Sequence, residues 1–297
     1  MEVVVNDSNN ERIDKYLSIN TELSRTLISK MIDEEYILVN GKKTKSNYKV
    51  KDGDVISIDE TYKVSTDIVP EKMDLDIVYE DEDIIIINKP SGMVVHPGNG
   101  NYSGTLVNGL MHYTNNLSDI NGEVRPGIVH RIDKDTSGLI MIAKNNKSHE
   151  ILSEYFQNKT ITRTYIALIK GELNTNSATI DAPIGRSEND RKKMAVTAKN
   201  SKNAITHLTV LKRYKGYTLV RLKLDTGRTH QIRVHMAYIG HPVYNAPVYT
   251  NDKCSDFGQF LHSYSMDFVH PITKKEMHFE CELPEYFASH LEYLEEV

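Results

Sequence analysis

Residues 127–144 hold the densest group of side chains able to do chemistry. They read Gly-Ile-Val-His-Arg-Ile-Asp-Lys-Asp-Thr-Ser-Gly-Leu-Ile-Met-Ile-Ala-Lys, which sets His130, Arg131, Asp133, Asp135 and Ser137 between apolar anchors. A polar loop between apolar flanks is the usual way a rigid scaffold presents reactive groups. His130, the two aspartates and Ser137 could suggest a nucleophilic triad. Triad members normally come from distant segments, however, and the chain has no Gly-x-Ser-x-Gly elbow. Asp133 and Asp135 could form a glycosidase pair, although side chains two apart in an extended loop need not face one bond. A zinc site from His130, His230 and His235 is disfavoured, because His-Glu-x-x-His is absent and the last two are five apart.

A second segment, residues 224–235, reads Leu-Asp-Thr-Gly-Arg-Thr-His-Gln-Ile-Arg-Val-His. Arg228 and Arg233 flank a bend, and forked guanidiniums suit a phosphate or a carboxylate. A surface ion pair is the ordinary alternative for each. Between the two segments, residues 159–171 alternate like a strand, with Tyr165 in the place of a core aromatic. Gly92, Gly98, Gly100 and Gly104 fit neither the dinucleotide nor the Walker spacing and read as a structural turn.

The surrounding elements must hold these loops. Residues 77–88 read as two strands separated by an acidic turn, and Leu139–Ala143 as a third strand. A strand-like run precedes Thr226-Gly227 and a helix-compatible run follows it. Nearer the start, Ile13, Tyr16 and Leu17 share one helical face, and Leu27, Ile28, Met31 and Ile32 form a second stripe behind Ser24, an expected N-cap. Asn40-Gly41 is a strong hairpin signal, and Asp52-Gly53 precedes a strand at Val55–Ile58. The expected order is helix, helix, hairpin, strand. Polar residues 61–74, with Pro70, read as a linker.

Composition narrows the classes further. The 297 residues are 39% hydrophobic and 26% charged, which excludes wholesale disorder. No apolar run approaches a bilayer span and the first residues lack a signal-peptide pattern, so a soluble cytoplasmic protein is expected. Cys254 and Cys281 make neither a disulfide framework nor a cysteine zinc site. The net charge of −5 conceals segregation, because residues 144–214 hold 13 Lys+Arg against 6 Asp+Glu while residues 276–297 hold seven Glu and no Lys or Arg. The basic middle could attract phosphate, or it could be a solvated face.

Two resemblances then appear. Arg12-x-Asp-Lys-x-Leu17, Ser24-Arg-Thr26, Ile32, Val39-Asn-Gly41 and Gly53-Asp54 resemble the small RNA-binding domain of the ribosomal protein S-four type. The likeness implies that Arg25 and Lys30 face phosphates. Residues 76–286 resemble the RluA-type pseudouridine synthases. The likeness rests on His130-Arg-Ile-Asp133 with Thr136-Ser-Gly-Leu139, on Arg163-Thr-Tyr165, and on Thr226-Gly-Arg-Thr-His-Gln-Ile-Arg233. Asn88-Lys-Pro-x-Gly92, Val95-His-Pro97, Pro183-Ile-Gly-Arg186 and His270-Pro271 support it. One departure is Tyr244-Asn-Ala-Pro after His241-Pro-Val243, where the family usually has a Gly-Asp pair before its tyrosine.

The resemblance implies an α+β fold: a mixed, largely antiparallel sheet with flanking helices, preceded by a small α/β RNA-binding domain. The implied domains are residues 1–60, a linker at 61–75 and a catalytic domain at 76–297. The implied reaction isomerises uridine within RNA to pseudouridine and needs no cofactor and no metal. Asp133 would be its carboxylate, Arg233 would keep that group ionised and oriented, and Tyr165 would lie against uracil. Arg131 would fill the stack left by the flipped base. His130, Arg228, Ile232 and Leu139 are the other expected substrate-binding residues. The expected partner is RNA, ribosomal RNA or a ribosome precursor, bound by a monomer. Transfer RNA, a non-catalytic assembly role and an N-glycosidase of small nucleosides remain as alternatives.

Overall fold

A computed structural model of the chain describes residues 1–297 except 7–9, 22, 24, 60, 63–67, 99–100, 123–124, 189, 191–192 and 251–256. The expected cap Ser24 and Cys254 lie outside the described residues. The chain divides into two units, Met1–Thr66 and Asp67–Val297.

In the first unit the two amphipathic stripes fold as α1 (Ile13–Asn20) and α2 (Arg25–Asp33), behind a short strand β1 (Glu2–Val4). Ile13, Tyr16 and Leu17 of α1 and Ile28, Met31 and Ile32 of α2 are buried together against Ile37, Val39, Val50, Ile56 and Ile58. Each such aliphatic chain contributes about 1.5–3 kcal/mol of burial. Asn40 (φ 51°) and Gly41 (φ 69°) make a two-residue turn that brings Val39 back onto Lys42. The expected hairpin stops there. Strand β2 (Ile37–Val39) pairs instead with β3 (Val55–Ile58), giving the order β1-β3-β2.

The second unit runs β4 (Ile77–Glu80), β5 (Ile84–Lys89), α3 (Leu106–Tyr113), β6 (Ser137–Ala143), α4 (Asn146–Gln157), β7 (Thr162–Lys170) and β8 (Ser177–Asp181). It continues with β9 (Ile184–Arg186), β10 (Met194–Val196), β11 (Ile205–Tyr214), β12 (Tyr217–Leu224), α5 (Gln231–Tyr238), β13 (Leu261–Val269), β14 (Glu276–Glu280) and α6 (Glu285–Glu292). A nine-stranded sheet has the order β4-β5-β6-β13-β7-β12-β11-β8, with β14 on β13, while β9 and β10 pair separately. All its ladders are antiparallel except β6 with β13.

Side chains alternate between two cores, as the period of a strand requires. Ile85, Ile87, Ile140, Ile142, Tyr165, Ala167 and Ile169 share one core with Ile232 and Met236 of α5. Ile84, Ile86, Leu139, Met141 and Ala143 enter a core on the opposite face. Part of the expected linker belongs to this unit: Ile68 is buried in the first of these cores, and the Glu71 N–H donates to the carbonyl of Asn108 in α3 at 2.9 Å. Of the glycine-rich turn, Gly100 lies outside the described residues. Gly98 bridges Asn101, and the Gly104 N–H meets the carboxylate oxygens of Glu71 at 3.1 and 3.0 Å.

Candidate active site

The loop entering β6 is pinned from several sides. Beyond Gly138 the ladder between β6 and β13 ends, because only Ser137 and Gly138 pair with His262 and Ser263. Gly138 has φ 104°, and a Cβ there would lie 2.3 Å from the Ser263 carbonyl oxygen, so no other residue fits this approach. Side chains replace the missing strand partners. Ser263 Oγ donates to the Leu139 carbonyl at 3.0 Å, and His130 Nε2 accepts the Met141 N–H at 2.9 Å. Burial, reinforced by the Arg163 guanidinium, pushes His130 down to about 3, so the ring stays neutral and can accept. Lys89, fully buried, donates to the carbonyls of Pro90, Met93 and Lys134 at 2.8, 2.9 and 3.0 Å. Three acceptors match the three N–H bonds of an ammonium. Burial pulls Lys89 down to about 7, against the attraction of Asp135 and Asp133.

Thus held, the loop presents Asp133 to α5. Arg233 Nη1 donates to Asp133 Oδ2 at 2.9 Å, while Nη2 donates to the Pro247 carbonyl at 2.5 Å. The arginine is the buried partner, its side chain 7% exposed against 23% for the aspartate. A small cavity, open to solvent, lies over this pair. Arg131, Tyr165, Arg228, Ile232 and Leu261 are among its walls. Among the described residues the Tyr165 hydroxyl has no protein partner, so it is available to a ligand. Asp135 does not line this cavity, and its Cβ sits instead beneath Gly258.

The matching sequence profiles are those of RNA pseudouridylate synthases over residues 83–238 and of the S4 domain over residues 11–56. The uncharacterized RNA pseudouridine synthase YlyB of Bacillus subtilis is 50% identical over 290 residues, spanning 97% of this chain and 95% of that protein. The chain belongs to the RNA pseudouridylate synthase family. Ribosomal large subunit pseudouridine synthase D of Escherichia coli is 40% identical over 291 residues, covering 93% of the synthase and 88% of that protein. The human RNA pseudouridylate synthase domain containing 1 shares the fold, with a TM-score of 0.60 and 24% identity, over 75% of this chain and 87% of the other. The synthase is therefore an isomerase that converts uridine to pseudouridine in RNA, with an N-terminal S4 domain.

The synthase brings together Asp133, Tyr165, Arg233, Arg131, Arg228 and Ile232, six of the ten expected site residues, around one cavity. Arg131 Nη2 reaches Thr229 Oγ1 at 3.2 Å, and Arg228 Nε donates to the Asn203 carbonyl at 2.9 Å. Two expectations are corrected. Leu139 is buried in the opposite core because strand alternation turns it away from Ile140. His130 does not line the cavity: its Nε2 is engaged at the β6 edge and its ring lies 4.6 Å from the Phe156 ring. Arg25 and Lys30 belong to the S4 unit, where Arg25 Nη2 donates to Asp14 Oδ2 at 2.7 Å and Lys30 lies 3.8 Å from Glu34. His235 is buried between Thr206 Oγ1 and the Ala182 carbonyl, so it does not converge with His230 on a metal.

Sequence reasoning missed Lys89, whose carbonyl partners come from two loops, and Arg163, whose guanidinium lies 5.2 Å from the Phe156 ring beside the cavity. It also passed over Tyr249, which packs its ring 4.8 Å from the Arg233 guanidinium carbon. A tyrosine shortly after His241-Pro-Val243 was the available signal for that residue. Among the described residues no helix is long and apolar enough to cross a membrane.

Proposed function

We propose that the synthase modifies uridines of large-subunit ribosomal RNA, with Asp133 as its reacting carboxylate. The observation that carries the catalytic part is the Asp133–Arg233 pair at the mouth of a cavity walled by Tyr165. The bond from uracil nitrogen 1 to the sugar breaks and one from carbon 5 forms. The carbon 5 proton is lost and nitrogen 1 gains one, so no electrons enter or leave. Addition to carbon 6, attack at the anomeric carbon and removal of a sugar proton all require a carboxylate with one free oxygen. Arg233 holds Oδ2 and leaves Oδ1 to the cavity.

Tyr165 supplies the stacking face and a hydroxyl for loss of the carbon 5 proton. Ile232 walls the base, Arg228 meets phosphate, and Arg131 leaves Thr229 to fill the vacated stack. His130 and Lys89 position the loop. Arg25 and Lys30 of the S4 unit contact RNA phosphates. The large-subunit target is favoured by relatives such as synthase D of Escherichia coli and its Zymomonas mobilis namesake, 39% identical over 288 residues. A monomer working in the cytoplasm completes the reading. Mapping pseudouridine in total RNA from cells with and without the gene tests it. Sites lost from large-subunit ribosomal RNA are expected, and losses confined to transfer RNA would overturn the assignment.

A further inference from the structure

The free oxygen of Asp133 has a neighbour on the cavity side. His230 Nε2 lies 4.0 Å from Oδ1, longer than a hydrogen bond but within the closure that catalytic contacts undergo when substrate binds. His230 is held in the left-handed conformation, φ 56° and ψ 21°, where it caps the start of α5. Non-glycine residues adopt this conformation where the surroundings demand it. Its other nitrogen, Nδ1, lies 2.9 Å from the Tyr249 hydroxyl.

That hydroxyl decides which nitrogen carries the proton. It accepts the Met194 N–H at 3.0 Å and has a single proton to give. Two acceptors compete, His230 Nδ1 at 2.9 Å and the Met194 carbonyl at 3.3 Å. Donation to the nearer leaves Nδ1 as an acceptor and puts the ring proton on Nε2, facing Asp133. The other tautomer would aim a lone pair at a carboxylate oxygen, which is repulsive. Both arguments select the same form. Burial holds His230 below its ordinary value; Arg233, Arg131 and Arg186 add to this and Asp133 opposes it, so the ring serves as a neutral donor. Tyr249 also covers Arg233. It therefore touches both groups that flank the carboxylate.

We propose that Tyr249 and His230 are a positioning pair: the Tyr249 hydroxyl fixes the imidazole with its proton on Nε2, and that N–H steers Oδ1 of Asp133 toward the reacting nucleotide. The inference rests on the reading of Asp133 as the reacting carboxylate. It gives separate jobs to the two carboxylate oxygens, one held by Arg233 and one guided by His230.

Nitrogen-15 spectra of histidine-labelled enzyme test the tautomer in the unaltered protein. His230, identified by the signal lost in His230→Gln, should show an unprotonated Nδ1 and a protonated Nε2, and Tyr249→Phe should weaken that preference. In kinetics, His230→Gln keeps an N–H near the Nε2 position and should hold kcat within about tenfold, whereas His230→Leu should lose about a hundredfold at unchanged KM. A proton on Nδ1 in the wild type, or a folded Leu variant as active as the Gln variant, overturns the pair. Asp133→Asn separates the two readings. Turnover by that variant sinks the carboxylate reading, while its inactivity beside equal Gln and Leu variants sinks the positioning pair alone.

Discussion

Both units contain an aspartate gripped by arginine, and the two pairs are turned inside out relative to each other. In the S4 unit Asp14 is the buried member, 5% exposed, while its partners Arg12 and Arg25 are 51% and 53% exposed. In the catalytic unit Arg233 is 7% exposed and Asp133 23%. The same chemical pair thus presents cations to solvent in one place and an anion in the other. Guanidiniums anchored by a buried carboxylate suit a phosphate backbone. A carboxylate anchored by a buried guanidinium suits a reaction needing a negative oxygen at a fixed point.

Removing the presented group should hurt function, and the largest effect is expected at Asp133. Asp133→Asn should cut single-turnover pseudouridine formation by more than about 10³-fold while RNA binding persists. Asp135→Asn should keep measurable activity, as should Asp14→Asn at saturating RNA. A folded Asp133→Asn enzyme with substantial turnover would erase the contrast. Next comes Tyr165→Phe, which keeps a stacking ring worth about 1–3 kcal/mol per base, so RNA affinity should hold while turnover falls. Equal losses of melting temperature and activity would make Tyr165 a packing residue only.

Stability separates anchors from presented groups. His130 is neutral in the folded chain down to about pH 3, against an ordinary value of 6.5. Below pH 6.5 the unfolded chain binds a proton that the folded chain refuses, so stability falls as pH drops from 6.5 toward 3, by up to about 1.4 kcal/mol per pH unit. His130→Gln removes that titration while offering Met141 an amide oxygen. Denaturant titrations at pH 6.5 and 5 should show a shallower loss for the variant, and parallel losses would contradict the assignment. The smallest effect is expected at Arg25, where Arg25→Ala should weaken RNA binding several-fold and reduce the salt slope by about 0.7–0.9 with kcat unchanged. An unaltered salt slope would remove Arg25 from the phosphate face.

Much of this was legible in local patterns. The stripes of α1 and α2, the Asn40-Gly41 turn and the strands flanking the acidic turn are short-range signals, and the structure contains them all. Strand β6 was legible as a strand, but not the direction of Leu139, because all seven of its residues are buried and no polar alternation marks a face. The role of His130 depends on where β13 leaves β6, a tertiary event that no spacing records. Lys89 reads as the polar end of a strand, yet it is buried because three carbonyls surround it. Asp133 and Arg233 are 100 residues apart, and only motif resemblance connected them before the fold did.

The place of β13 carries a consequence for biosynthesis. Strands β4, β5 and β6 form one run of the sheet and β7, β12, β11 and β8 another, and β13 joins them. That joining strand follows both runs in the chain. Its residue His262 meets Ser137 across 125 positions of chain, roughly 6–25 s of synthesis at about 5–20 residues per second. Until then the Asp133 loop lacks Gln259, which donates to Thr136 Oγ1 at 2.7 Å, and Ser263, which secures Leu139. The chain therefore supplies the strands of both runs before the strand that ties the Asp133 loop to them.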